Sequence, residues 1–272
     1  MLVFVAVVAV AVGLRLAAGT DRHGAQVISY SVNGPGTNGT LPQAAVIPAG
    51  AAKMPPLVVF LHGKGQTQTS NLTSAFYVAL SRLGSRAPDL VFPYGGEDSY
   101  WHNRADGAWG TYVLHDVIPQ AVRRLHADPS RVAIAGLSMG GFGAYDLARQ
   151  APGRFCAIGA DSAALWASGG ETAPGAFDDA EDFERHNVIA ATRSSSNPYP
   201  GAKLWLDVGS EDPFRAADTT LASMLKAKGT AVDFHIWPGG HNQSYWDSHW
   251  TESLAFYADA LSGCVRPRSD AG

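Results

Sequence analysis

The stretch Arg131-Val132-Ala133-Ile134-Ala135-Gly136-Leu137-Ser138-Met139-Gly140-Gly141-Phe142-Gly143-Ala144 constrains this chain more than any other. It reads as a short buried strand, a sharp turn and the opening of a helix. The apolar run at 132–135 follows the turn signal Asp128-Pro129-Ser130. Gly136-Leu137-Ser138-Met139-Gly140 is a G-x-S-x-G turn, and a helix is expected from 141 to about 150, closed by Pro152-Gly153. A serine at the apex of such a turn projects its hydroxyl clear of the backbone. Glycine at 136 and 140 removes the Cβ atoms that would collide where the chain doubles back. The following helix aims its N-terminal N–H groups and partial positive charge at the serine oxygen, and the backbone N–H of Met139 is placed to donate to an oxyanion. The competing reading is a glycine-rich βα turn with a surface serine. The strand before, the helix after and the added Gly141 and Gly143 favour the nucleophile.

Strand and helix signals alternate from residue 57 onward, which calls for a mainly parallel central sheet with helices on both faces: an α/β fold, α/β-hydrolase-like in its nucleophile turn. Before it, 26–32 and 43–47 read as an antiparallel edge hairpin around the turn-rich 33–39. The solid apolar run Leu57-Val58-Val59-Phe60-Leu61 suits a strand covered on both faces. Further helices are expected at 71–83, 111–126, 215–228 and 245–261, and further strands at 89–93, 155–160, 204–209 and 231–237. Residues 165–200, rich in Gly, Ala, Ser, Asp and Pro, break the rhythm and read as a small cap over the site, with helical potential around 180–191.

With 272 residues, 46% of them hydrophobic, the chain is long enough for one sizeable domain, placed at 26–264 with 165–200 as a cap-like insertion. Residues 20–25 read as a linker and 265–272 as a flexible tail. The net charge of −4 and the lack of a basic run argue against nucleic acid as a partner. The apolar run from Leu2 to Leu14, ended by Arg15, is short for a membrane span of about twenty residues. With small residues following at Ala17-Ala18-Gly19, 1–19 reads as a signal peptide or signal-anchor remnant. Its alternative is a buried N-terminal helix of the domain. The expected location is secreted, or tethered by this segment to the outer face of the cytoplasmic membrane. Cys156 and Cys264 lack metal-type spacing and are either one disulfide of an exported protein or two buried thiols.

A serine hydroxyl needs a base within hydrogen-bond reach, and the base needs an orienting carboxylate. In an α/β-hydrolase arrangement these follow in the order serine, acid, histidine, on loops after later strands. His241, in Pro238-Gly239-Gly240-His241-Asn242 after the last strand, meets the demand. His115, His126, His235 and His249 fall within helices or a strand. Asp212, in the loop Ser210-Glu211-Asp212-Pro213-Phe214, is the acid by position. Glu211 is its rival, Asp161 an outside candidate and Asp207 structural. After the 57–61 strand, His62-Gly63-Lys64-Gly65-Gln66 places the backbone N–H of Lys64 as the second oxyanion donor, with His62 supporting the loop. Tyr100, Trp101 and Trp166 are candidates to line a substrate pocket, with core cover as the alternative for the first two. The chemistry needs no metal and no organic cofactor.

Gly136 to Gly143, Gly209-Ser210-Glu211-Asp212-Pro213, Gly239-Gly240-His241-Asn242-Gln243-Ser244-Tyr245-Trp246 and the segment from Tyr100-Trp101 to Asp116-Val117-Ile118-Pro119 together resemble the esterase D / antigen 85-type esterases, which include feruloyl-esterase-like members of the α/β-hydrolase superfamily. The resemblance runs from about Leu57 to Leu261. It implies a triad of Ser138, His241 and Asp212, and an oxyanion hole from the backbones of Met139 and of the residue after His62-Gly63. It implies acyl transfer from a small-molecule or lipid ester, and leaves open whether water or a sugar hydroxyl accepts the acyl group. Relatives hydrolyse simple carboxyl esters, feruloyl esters or S-formylglutathione. The antigen 85 branch transfers mycolyl groups to trehalose, and some of its members have lost the triad and act as binding proteins. This sequence keeps all three residues.

Overall fold

A computed structural model describes residues 20–37 and 39–264. The segment expected to be a signal or anchor (1–19) and the expected tail (265–272) lie outside the described residues. In chain order, β1 (Gln26–Gly34) and β2 (Gly39–Ile47) form the edge hairpin, and β3 (Leu57–Leu61) leads to α1 (Ser74–Arg82). Next come β4 (Asp89–Pro93) and a small hairpin, β5 (Asn103–Arg104) with β6 (Gly107–Ala108). Then α2 (Trp109–Thr111) passes through a π-helical segment, Tyr112–Val117, into α3 (Ile118–Leu125). The chain continues as β7 (Val132–Leu137), α4 (Met139–Gln150), β8 (Ala157–Asp161), α5 (Ala180–His186) and α6 (Val188–Ser194). It ends as β9 (Lys203–Gly209), α7 (Arg215–Ala227), β10 (Val232–Trp237) and α8 (Gln243–Ser262).

Eight strands make one sheet in the order β1-β2-β4-β3-β7-β8-β9-β10. Only the β1–β2 and β2–β4 pairs are antiparallel. Every pair from β4 to β10 is parallel, so the C-terminal ends of the central strands share one edge. The sheet is covered on both sides, and successive apolar residues of β3 enter the two opposite cores. Leu57, Val59 and Leu61 of β3 enter one core with Ile118, Phe142, Leu147 and Leu221. Val58 and Phe60 enter a second core with Phe76, Trp250, Leu254 and Tyr257. Thus α3, α4 and α7 pack on one face, and α1 and α8 on the other.

Two expected helices differ. The one at 111–126 contains the π segment just before Pro119, whose ring cannot follow a regular turn and which has no N–H to close one. The helical potential at 180–191 resolves into α5 and α6, because the Asn187 side chain accepts from the Ala190 N–H at 2.9 Å and starts a new helix. Cys156, at the foot of β8, is joined to Cys264 after α8 by a disulfide with a Cα–Cα separation of 5.8 Å.

Residues 165–200 cross the edge where the central strands end. Arg104 fastens them by donating to the Asp178 carboxylate at 3.1 Å and to the Gly175 carbonyl at 2.8 Å. Lys64 Nζ donates to the Pro174 carbonyl at 3.3 Å. Rings complete the attachment: Phe177 meets Tyr100, Phe142, Trp166 and Phe183.

Candidate active site

Ser138 joins β7 directly to α4, at φ 52° and ψ −117°. A non-glycine residue there carries strain on the order of 1–3 kcal/mol and persists only if its surroundings dictate it. They do: the Ser138 N–H donates to the Asp161 carbonyl at 3.0 Å, and its carbonyl accepts from Phe142 and Ala164, each at 3.0 Å. The turn needs its glycines for space. A Cβ on Gly136 would lie 2.5 Å from the Gly140 carbonyl carbon, and one on Gly140 would overlap the Leu61 carbonyl.

Two exit loops bring the partners. Gly209, at the end of β9, abuts Gly239 so closely that a side chain would strike the Gly239 carbonyl. Glu211 N–H donates to that carbonyl at 2.8 Å and Ser210 N–H to the Trp237 carbonyl at 2.7 Å. The acid loop and the histidine loop are therefore laced by main chain. His241 Nε2 lies 2.9 Å from Ser138 Oγ, and His241 Nδ1 lies 2.9 Å from Asp212 Oδ2. Asp212 Oδ2 can only accept, so Nδ1 carries the proton and Nε2 faces the serine as acceptor. Glu211 is exposed, which separates the two acid candidates. Burial works to raise the Asp212 pKa, but hydrogen bonds from His241, the Phe214 N–H and the Ser162 hydroxyl outweigh it and hold the carboxyl below the usual range.

The other candidate acids form a separate network. Trp205 Nε1 donates to Asp161 Oδ1 at 3.1 Å and to Asp207 Oδ2 at 2.8 Å, and Tyr245 Oη donates to Asp207 Oδ1 at 2.8 Å. Burial and the adjacent Asp207 push Asp161 far above the carboxylate range, so it holds a proton between the two groups. Asp161 thus serves the sheet rather than His241.

The loop after β3 runs beside the serine, since a Cβ on Gly63 would stand 3.5 Å from Ser138 Cβ. Lys64 follows Gly63 in this loop, and Met139 opens α4 directly after Ser138. His62 props the loop. Its Nε2 accepts from Gly95 N–H at 3.2 Å, so Nδ1 donates to the Gly63 carbonyl at 2.8 Å. Burial lowers its pKa to about 4, leaving the ring neutral near pH 7.

The three aromatic candidates divide. Trp101 is fully buried, packs on Gly95 and Gly143, and donates from Nε1 to the His62 carbonyl at 3.0 Å. It supports the loop and does not line an open pocket, which corrects the pocket-lining reading. Tyr100 is buried as well, at 3% exposure, so it too covers the core and does not line an open pocket; with Trp166 it belongs to a ring chain that reaches the triad. Tyr100 meets Trp166 at 5.6 Å, Trp166 meets Phe214 at 5.6 Å, and Phe214 meets His241 at 5.2 Å. Sequence reasoning missed Phe214, Phe177 and Trp246. Trp246 packs edge-on against His241 at 5.1 Å and donates to Ser162 Oγ at 3.3 Å. Its position four residues after the histidine-loop Asn242, on a helix capped by that Asn, was the available signal.

The profile of the esterase family, described as "Putative esterase", matches residues 38–257, and the chain belongs to that family. Esterase Rv1288 of Mycobacterium tuberculosis is 26% identical over 225 residues, covering 68% of this chain. The match takes in 48% of Rv1288, so the chain spans about half the length of that relative. Among solved structures, a ferulic acid esterase superposes with a TM-score of 0.75 at 19% identity, covering 87% of this chain and 99% of its own. An S-formylglutathione hydrolase from Agrobacterium tumefaciens gives 0.72 at 18% identity, covering 88% and 96%. These likenesses establish the α/β-hydrolase fold.

Proposed function

We propose that this chain is a serine carboxylesterase in which Ser138 is the nucleophile, His241 the general base and acid, and Asp212 the orienting acid. The observation that carries the reading is the unbroken relay Ser138 Oγ, His241, Asp212, with both links at 2.9 Å. His241 Nε2 takes the Ser138 proton as Oγ attacks the ester carbonyl. The tetrahedral oxyanion is held by the N–H groups of Met139 and Lys64, each such donor being worth about 3 kcal/mol. His241, now an imidazolium stabilised by Asp212, protonates the leaving alcohol. Water then attacks the acyl-serine by the same relay in reverse order, releasing the acid. Every proton in the cycle moves between Ser138, His241, water and substrate, so this chemistry draws on no metal or cofactor.

The family membership and the relatives named as esterases support ester hydrolysis. The Cys156–Cys264 disulfide supports an exported protein, because such bonds persist in oxidising compartments. The test is turnover of p-nitrophenyl esters from acetate to palmitate, with and without trehalose or glucose as acceptor. Serine-dependent hydrolysis unaffected by sugar is the expected result, and the preferred chain length measures the pocket. Acyl-sugar formed at the expense of free acid would make the protein a transferase instead, and no turnover on any ester by the folded protein would overturn the enzymatic reading.

A further inference from the structure

A second constellation lies outside the triad, where α5 meets the body. His102 follows β4 in the loop that also carries Tyr100, while Asp182 and His186 lie one turn apart on α5. All three are buried: His102 and Asp182 completely, and His186 at 9% exposure. Each offers one ligand atom, and the three atoms lie within 4.8 Å of one another. His102 Nε2 is 3.0 Å from Asp182 Oδ2, and His186 Nε2 is 3.7 Å from Asp182 Oδ1. Two ligands bound tetrahedrally to zinc at roughly 2.0–2.1 Å stand about 3.4 Å apart, and three ligand atoms already within 4.8 Å of one another need only a small inward adjustment to reach that spacing.

The far sides of both rings are already engaged. His186 Nδ1 donates to Asp146 Oδ2 at 2.8 Å, and Asp146 is fully buried on α4. His102 Nδ1 faces the Tyr100 carbonyl at 3.4 Å. Asp146 can only accept, so the neutral His186 ring carries its proton on Nδ1 and turns the Nε2 lone pair inward. His102 lies between two acceptors, the Tyr100 carbonyl at 3.4 Å and Asp182 Oδ2 at 3.0 Å, and without a metal its Nε2–H donates to Asp182. Moving that proton to Nδ1, toward the Tyr100 carbonyl, frees Nε2 as a ligand beside a buried carboxylate and a second imidazole. The Asp146–His186 pair has the arrangement by which a carboxylate orients a metal-bound imidazole. Two guanidinium groups also pair with these carboxylates: Arg185 Nη2 is 3.1 Å from Asp182 Oδ1, the oxygen nearer His186, and Arg149 Nη2 is 2.5 Å from Asp146 Oδ1. The Asp178 N–H also donates to Asp182 Oδ2, at 2.9 Å. The His186 side chain keeps 11% exposure, enough for an ion to arrive from solvent.

We propose that His102, Asp182 and His186 bind one transition-metal ion, with Zn²⁺ the best match to two imidazoles and one carboxylate. Its role is structural. It pins α5, and with it residues 165–200, to the body of the fold. The ring of His102 stacks on Phe177 at 5.1 Å, and Phe177 belongs to the aromatic wall that reaches His241 through Trp166 and Phe214. Metal binding would therefore fix the shape of the cleft without touching the reacting atoms. Sequence spacing concealed the site, because His102 is separated from Asp182 by the whole nucleophile unit.

The test uses the full chain, stripped with a chelator and titrated with Zn²⁺ by calorimetry and with Co²⁺ by visible absorption. One Zn²⁺ per chain, a rise of several degrees in thermal midpoint, and the absorption of four-coordinate Co²⁺ are expected. His102→Gln and His186→Gln should each abolish the Co²⁺ spectrum, Asp146→Asn should weaken Zn²⁺ binding by about 10–100-fold, and His235→Gln, a substitution elsewhere on the surface, should leave it unchanged. Circular dichroism separates lost binding from lost folding; should one glutamine variant fail to fold, the other and the wild-type Co²⁺ spectrum decide. No uptake by the stripped wild type, or uptake indifferent to both glutamine variants, would overturn the proposal and leave a proton as the link in the cluster.

Discussion

At the residue scale, the groups that face Ser138 decide the chemistry. The type and loop position of Ser138 and His241 were legible because few other residues follow a strand in a glycine-rich turn. Asp212 and Glu211 are adjacent in sequence, and only backbone direction decides between them. Main-chain bonds lacing the two exit loops bury Asp212 and turn Glu211 outward. Asp212→Asn should therefore lower kcat by about 10⁴-fold, since the amide stabilises the wrong imidazole tautomer, while Glu211→Gln should stay near wild type in the same steady-state assay. The reverse pattern would exchange the two roles. Trp101 shows the opposite limit. An aromatic residue after a strand looks the same in sequence whether it lines a cleft or, as here, braces a loop from beneath.

At the element scale, strand existence was readable because β3, β4 after its leading Asp89, and β7 carry unbroken runs without a polar side chain, as a two-sided sheet requires. The ends were less so. Helix α4 begins at Met139, before the expected 141, because the strained Ser138 passes straight from strand to helix. The π segment before Pro119 and the break at Asn187 depend on local hydrogen bonds that apolar periodicity does not register. The tight β3–turn–α4 contact yields a further prediction. Gly140→Ala should misplace the serine or destabilise the fold, because its new methyl group would overlap the Leu61 carbonyl. Activity should drop at least 100-fold, or the soluble yield should collapse, as read by turnover and thermal melting. A well-folded, fully active variant would mean that this turn is looser than the geometry here.

At the scale of the whole molecule, the Cys156–Cys264 disulfide ties β8 to the chain after α8 across a sequence separation of 108. Its pairing was not legible, since spacing alone says nothing about two cysteines so far apart. Cys156→Ser/Cys264→Ser should lose about 2–5 kcal/mol of stability, seen as a markedly lower thermal midpoint without loss of the triad's chemistry at low temperature. Asp89, buried at the start of β4, has its pKa raised by burial to about 7. A carboxyl raised in the folded state favours folding while protonated. Its contribution is complete below the unfolded value near 4 and is lost as pH climbs through about 7. Asp89→Asn should therefore flatten the fall in stability of the wild type between pH 4 and 7, measured by urea unfolding at several pH values. An unchanged slope would show that Asp89 ionises freely in the fold.

The most direct measurement is covalent. A fluorophosphonate probe is added to wild type, Ser138→Ala and His241→Ala, and the modified peptide is mapped by mass spectrometry. One adduct is expected, on the Ser138 peptide of the wild type, absent from Ser138→Ala and strongly slowed in His241→Ala while both variants remain folded. Labelling of a different residue, or labelling of Ser138 at the same rate without His241, would contradict the triad.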